Sequence, residues 1–157
     1  MTEGVYILSI GCIDEVVMMK KGLLTIVLFL CSVSAHAKAP LGKDIDDSLA
    51  RCKNVASATQ AISSCYQTAM KAWDAELNNQ YKLLLKDQSV AAQEKLKIAQ
   101  RGWVKYKDDY FLAINAFYQQ EQGTVWGLVA AETKLNVIKE KAIDLDRLRR
   151  STNLSGE

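Results

Sequence analysis

Apolar residues return every three or four positions along three long stretches of this chain, and polar residues close off each stretch. In the first, Ile62, Tyr66, Ala69, Trp73, Leu77, Tyr81 and Leu84 fall on one face at helical spacing. The second carries Leu96, Ala99, Trp103, Tyr106, Tyr110, Ala113 and Phe117, alternating steps of three and four throughout. The third carries Leu128, Ala131, Leu135, Ile138, Ala142 and Leu145. No strand-like alternation competes with these periods, so the chain is expected to be all-α.

The breaks between stretches carry helix-ending and helix-starting residues. Ser57 or Thr59 can cap the first long helix, with Ser57-x-x-Gln60 as a capping box, and the helix runs to about Lys86. Ser89 follows Asp87-Gln88 and can cap the second. Gly123 suits a left-handed helix end and Thr124 the next start. The third helix ends near Arg150, where Arg147, Arg149 and Arg150 suit the negative end of the helix dipole. A short helix over Asp44 to Lys53 precedes them. Short connections between long helices predict an antiparallel, up-down-up bundle of three, with the short N-terminal helix tied on.

The first residues follow another pattern. Met19-Lys20-Lys21, the apolar run Leu23 to Leu30 and then Ser34-Ala35-His36-Ala37 have the order of a secretory signal peptide, with cleavage expected after Ala37. The apolar run is shorter than the roughly 20 residues of a spanning helix. Residues 1–17 then read as an upstream extension from a misassigned start, 18–37 as the signal peptide, and 38–157 as a single helical domain with its core in 52–148. Export to the periplasm or beyond follows. Leu30 before Cys31 argues against a lipoprotein signal.

Beyond residue 37, 18 Lys/Arg stand against 15 Asp/Glu, a net +3 that gives no sign of a nucleic-acid binder. Cys52 and Cys65 are the cysteines that remain, and in an oxidising compartment they are expected to form one disulfide. His36 is the only histidine in the chain and leaves with the signal. That removes Ser-His and Cys-His nucleophile pairs and the usual zinc ligands. No phosphate-cradling glycine loop is present. Asp44, Asp46 and Asp47 lack the loop glycine and distal Glu of a calcium-binding hand, Val55 standing in that Glu's place. Asp108 and Asp109 point to different helix faces and are badly arranged to share a substrate. The expectation is a protein that is not an enzyme and takes no cofactor or metal.

One set of residues goes beyond periodicity. Cys65, Asp74-x-x-Leu77-Asn78-x-x-Tyr81 and Leu96-x-x-x-Gln100-Arg101-x-Trp103-x-x-Tyr106-Lys107-Asp108 together resemble the LprI-like lysozyme-inhibitor family of small secreted bacterial proteins. The likeness covers about Cys52 to Leu148. It implies an exported helical protein whose partner is a lysozyme or another peptidoglycan-lytic enzyme. The family often carries two further cysteines, whose places here are near Phe111 and Thr133, so apolar packing is expected to replace a second disulfide.

Within the motif, Asp74, Asn78, Gln100 and Asp108, with Arg101 or Tyr106, are expected to form a buried polar network locking the first two long helices together. Lys97, Arg101 and Lys105 make a basic row that is either a solvated face or a surface for an anionic partner. The candidate partner contacts are Asp44, Asp46, Asp47 and Trp126. The acids would offset the +3 charge against a basic lysozyme, and Trp126 is either an exposed aromatic contact or a cap on the bundle end. The alternative function is an envelope scaffold or stress-related interaction module that inhibits no enzyme.

Overall fold

The computed structural model of the protein describes residues 39–152, and within them every regular element is a helix. The signal peptide and upstream extension expected over residues 1–37 lie outside the described residues. The helices are α1 (Lys43–Val55), α2 (Thr59–Lys86), α3 (Val90–Tyr118) and α4 (Val125–Arg150). Their bounds follow the periodic stretches closely. Ser89 caps α3 as its sequence position suggests, accepting from the Ala92 amide at 3.3 Å. The capping box at α2 does not form: Ala58 is the N-cap and no side chain caps it. Gly123 takes φ 108°, a conformation open to glycine, in the α3–α4 connection.

The core is a seam between α2 and α4. Tyr66, Ala69, Trp73, Leu77 and Leu84 of α2 meet Leu135, Ile138, Ala142 and Leu145 of α4, all of them buried. The two helices run the same way, since the Gln80 side chain of α2 is reached by Arg149 of α4 and Tyr66 lies one end away from it. α3 runs opposite to both, with Asn115 and Tyr118 near its C-terminus touching Lys134 and Thr133 near the start of α4. The three long helices do not contribute equally to the core: α2 and α4 supply its buried residues, and α3 adds the partly buried Leu96, Trp103 and Phe111 at its edge. α3 lies along α4 and keeps its backbone away from α2.

α1 buries no residue completely; besides the partly buried Ile45 and Leu49 on the core and the Lys53 bond to the Tyr66 hydroxyl, three contacts hold it. Cys52 and Cys65 form a disulfide with their Cα atoms 5.8 Å apart. Asp46 accepts from Trp73 Nε1 at 3.2 Å and from Lys139 Nζ at 2.6 Å, and so ties α1 to α2 and α4 at once. Gly42, at φ 68°, begins α1 directly over the Trp73 ring: a Cβ there would lie 2.1 Å from the indole. Only glycine fits this approach, and Trp73 is fully buried beneath it.

Two polar side chains are buried in the seam, Gln80 and Asp146. Gln80 donates to Glu76 Oε1 at 2.6 Å and accepts from Arg149 Nε at 3.2 Å. Asp146 receives Arg149 at 2.7 Å and Arg150 at 2.5 Å. No buried side-chain polar atom among the described residues is left without a partner, as burial requires.

Candidate functional site

The expected polar lock between α2 and α3 is not what the motif residues build. Asn78 donates within its own helix, to the Asp74 carbonyl at 2.8 Å and to its carboxylate at 3.2 Å, and Asn78 is exposed. Asp108 is exposed and pairs with the neighbouring Lys107 at 3.3 Å. Gln100 is half-buried beside Tyr81, Lys97, Arg101 and Val104. The physical reason is the separation of the two helices: with the backbones apart, Asp74 and Asn78 satisfy each other one turn apart rather than reaching across. Leu77 and Trp103 do serve the core, Leu77 fully buried and Trp103 half-buried against it.

α3 is turned differently from its sequence expectation. Its inward side is Leu96, Trp103, Lys107, Phe111, Ile114 and Tyr118, of which Ile114 is buried and the rest half-buried. Ala99, Tyr106, Tyr110, Ala113 and Phe117 lie about 80° around the helix at 100° per residue. That second stripe faces outward. Tyr106 is 55% exposed, Tyr110 40% and Phe117 61%. Tyr106 and Tyr110 stack on each other, one turn apart, at 5.5 Å between ring centroids. Beside them an open groove of about 570 Å³ runs between α3 and α4, floored by Trp103, Thr133 and Val137 and edged by Glu140 and Asp144. Glu140 makes no ion pair among the described residues. A protein surface with clustered aromatics beside carboxylates has the composition of a protein contact, and monomers rarely leave such clusters bare without use.

The other candidate contacts are scattered. Asp46 is taken up by Trp73 and Lys139, which corrects its reading as a free contact, and Asp47 pairs with Lys43 at 2.6 Å. Asp44 is exposed beside the disulfide. Trp126 is half-buried and stacks on Tyr118 at 6.0 Å, closing the end where α3 and α4 join. It stands 13 positions from Lys139 on the same helix, roughly 20 Å along the axis. The acids of α1 and Trp126 therefore do not form one patch. The basic row is largely neutralised: Lys97 bonds Glu94 at 2.7 Å and Lys105 bonds Asp109 at 2.8 Å, leaving Arg101 exposed. Near Phe111, the site expected to lack a second disulfide, the ammonium groups of Lys107 and Lys134 each lie 5.7 Å from the ring centroid. A cation over an aromatic face, and not apolar packing alone, occupies that place.

Sequence reasoning missed Gln80, Asp146, Gly42 and Lys134. Gln80 and Asp146 could have been found, since each falls within the apolar face of its helix: Gln80 between Leu77 and Leu84, Asp146 beside Leu145. Burial pushes the Lys134 amine below its ordinary range, and no carboxylate pairs with it among the described residues. No group of acids, histidines or cysteines among the described residues is arranged to hold a metal ion. No helix among them is long and apolar enough to cross a membrane.

The fold has a counterpart among solved structures. A crystal structure of an uncharacterized protein from Burkholderia thailandensis matches 71% of this chain with a TM-score of 0.64 and 24% identity. The match covers 56% of that chain, so this protein spans a little over half its length, and the likeness concerns the fold alone. No protein of curated function matches at a significant level. The model of the lysozyme inhibitor LprI family matches residues 52–145, from the first cysteine of the disulfide to the last core leucine of α4. With the motif residues, the disulfide, all of α2 and α3 and most of α4 inside that match, the chain belongs to the lysozyme inhibitor LprI family.

Proposed function

We propose that this protein is exported, loses residues 1–37, and binds and blocks a lysozyme or another peptidoglycan-lytic enzyme outside the cytoplasm. Membership of a lysozyme-inhibitor family supports this reading. The outward face of α3 is the surface proposed to make the contact. The observation that carries this choice is the exposure of Tyr106, Tyr110 and Phe117 in one stripe, beside a groove edged by Glu140 and Asp144. Aromatic side chains are enriched among the few residues that dominate protein contacts, and at the rim Glu140, without an ion pair among the described residues, suits a basic enzyme, whereas Asp144 is already paired with Lys141. Inhibition in this form is occlusion: the stripe covers the enzyme's cleft and no covalent step is involved.

The test uses the protein purified from the periplasm of an expressing strain. Added in molar excess to a panel of lysozymes and lytic transglycosylases, it should slow wall lysis by at least one of them. The double variant Tyr106→Ala/Tyr110→Ala should lose at least about tenfold in potency, the loss expected for removing two central aromatics. Unchanged lysis rates across the panel would overturn the inhibitor reading. Capture of a membrane or assembly protein in place of a glycosidase would support the alternative scaffold role instead. Inhibition that survives the double variant would move the contact surface elsewhere on the molecule.

A further inference from the structure

A second cavity, of about 350 Å³, opens where α2, α3 and α4 converge near the α3–α4 connection. Its lining combines three features that point to one ligand chemistry. The first is a cation without an anion. Lys134 lines the cavity, donates one hydrogen bond to Asn115 Oδ1, and pairs with no carboxylate among the described residues. An ammonium has three donors, so two remain. Burial works against its charge, which an arriving anion would relieve. The second is a flat aromatic wall, where Trp126 stacks on Tyr118 with their planes 17° apart. The third is a pair of solvent-exposed side-chain amides at the cavity mouth, Gln67 and Gln119, free to turn toward a ligand. Amides can both donate to and accept from hydroxyl groups.

We propose that this cavity binds a small carboxylated sugar, with its carboxylate on Lys134, its ring against Trp126 and its hydroxyls on Gln67 and Gln119. A bare carboxylate would use the lysine and leave the aromatic wall and both amides unused, whereas a neutral sugar would leave the half-buried Lys134 ammonium with Asn115 and the Phe111 ring but no anion. Small-molecule sites combine an apolar wall with a few convergent polar groups in this way. The inference does not depend on which protein the α3 face takes, since Lys134, Trp126, Gln67 and Gln119 are not among the groove residues there; the two regions meet only where Phe117 touches Tyr118.

The experiment titrates four sugars into the intact protein and follows the Trp126 indole N–H by NMR, assigned with Trp126→Phe. The pairs are glucuronate with glucose and N-acetylmuramate with N-acetylglucosamine. At least one acid should shift the Trp126 signal and bind at least about tenfold more tightly than its neutral partner, as a charge-assisted contact implies. Lys134→Met should bring the acid down to the affinity of its neutral counterpart. That variant also gives up the Asn115 bond and the contact with the Phe111 ring, so its melting temperature is measured alongside, and a folded protein that has lost acid binding separates the site from the fold. Equal binding of acids and neutral sugars, no shift with any of the four, or unchanged acid binding by Lys134→Met would each overturn the proposal. Acetate binding as tightly as the sugar acids would overturn the sugar assignment.

Discussion

α2 and α3 are almost the same length, 28 and 29 residues, and both carry apolar residues at faultless helical spacing. α2 buries Cys65, Tyr66, Ala69, Trp73, Leu77, Gln80 and Leu84, while α3 buries only Ile114. The difference lies in their neighbours. α2 has α1 on one side and α4 along its length, so every turn of its apolar face meets another helix. α3 packs chiefly along α4 and reaches the α2–α4 seam only through Leu96, Trp103 and Phe111, and its apolar residues cover more of its circumference than those contacts hide. Helical period alone therefore establishes that a face is apolar without establishing that it is core. On α3 the surplus stays in contact with solvent, where it is available to a partner.

Substitutions can break this contrast at its strongest point first. Trp73→Ala empties a fully buried site, takes from Asp46 one of its two partners and leaves Gly42 over a void, so urea unfolding should show a loss of about 3–5 kcal/mol. The same change at half-buried Trp103 should cost less than half as much. Equal costs would mean that α3 is as much a part of the core as α2. Next, Cys52→Ser/Cys65→Ser removes a cross-link between residues 13 apart and should cost about 3 kcal/mol on the chain-entropy model. Hydrogen exchange should rise chiefly in α1, which buries no residue completely and depends on that bond.

A smaller effect is expected at the charged end of the seam. Asp146→Ala leaves Arg149 and Arg150 without their shared acceptor, but both arginines reach solvent, so the loss should be about 1–2 kcal/mol. A pH effect sharpens the contrast on the other side of α2. Lys53 is held above the ordinary lysine value of 10.5, first by its bond to the Tyr66 hydroxyl at 2.8 Å, against a smaller opposing effect of burial. A raised amine contributes stability that is complete below 10.5 and is lost as pH rises through the folded value. Denaturation followed from pH 9 upward should show that alkaline loss, and Lys53→Met should diminish it; an identical profile would remove Lys53 as its source. The smallest stability change is expected on α3. Tyr106→Ala/Tyr110→Ala should shift unfolding by less than about 1 kcal/mol while abolishing most inhibition, because exposed side chains contribute little to folding. A large destabilisation there would mean that the stripe serves the fold and not a partner.

Much of the fold was legible from local pattern. The three apolar stripes located the long helices to within a few residues, Ser89 marked a real cap, and Cys52 and Cys65 named the disulfide. The candidate site was legible only in its residue types. Tyr106, Tyr110 and Phe117 stand in the apolar stripe of α3, but the period does not tell which side of that helix is buried, because its two stripes share the same period and differ only in phase. Asp46 looked like a free acid, since nothing near it in sequence reveals Lys139, 93 positions away. Asp74 and Asn78 looked like half of a lock between helices, since their own one-turn pairing is equally compatible with the pattern.

What the sequence by itself determined was the helices, the buried faces of α2 and α4, the disulfide, and the motif that places the chain in its family. These depend on spacings within a helix or on residue chemistry, and both are written locally in the chain. Only the tertiary structure decided which side of α3 meets α4, which acid holds Trp73, and that Lys134 faces a cavity with no carboxylate partner among the described residues. Those choices are made between helices far apart in sequence. Their outcome is set by how much apolar surface one neighbour can cover and by which buried polar groups can reach one another.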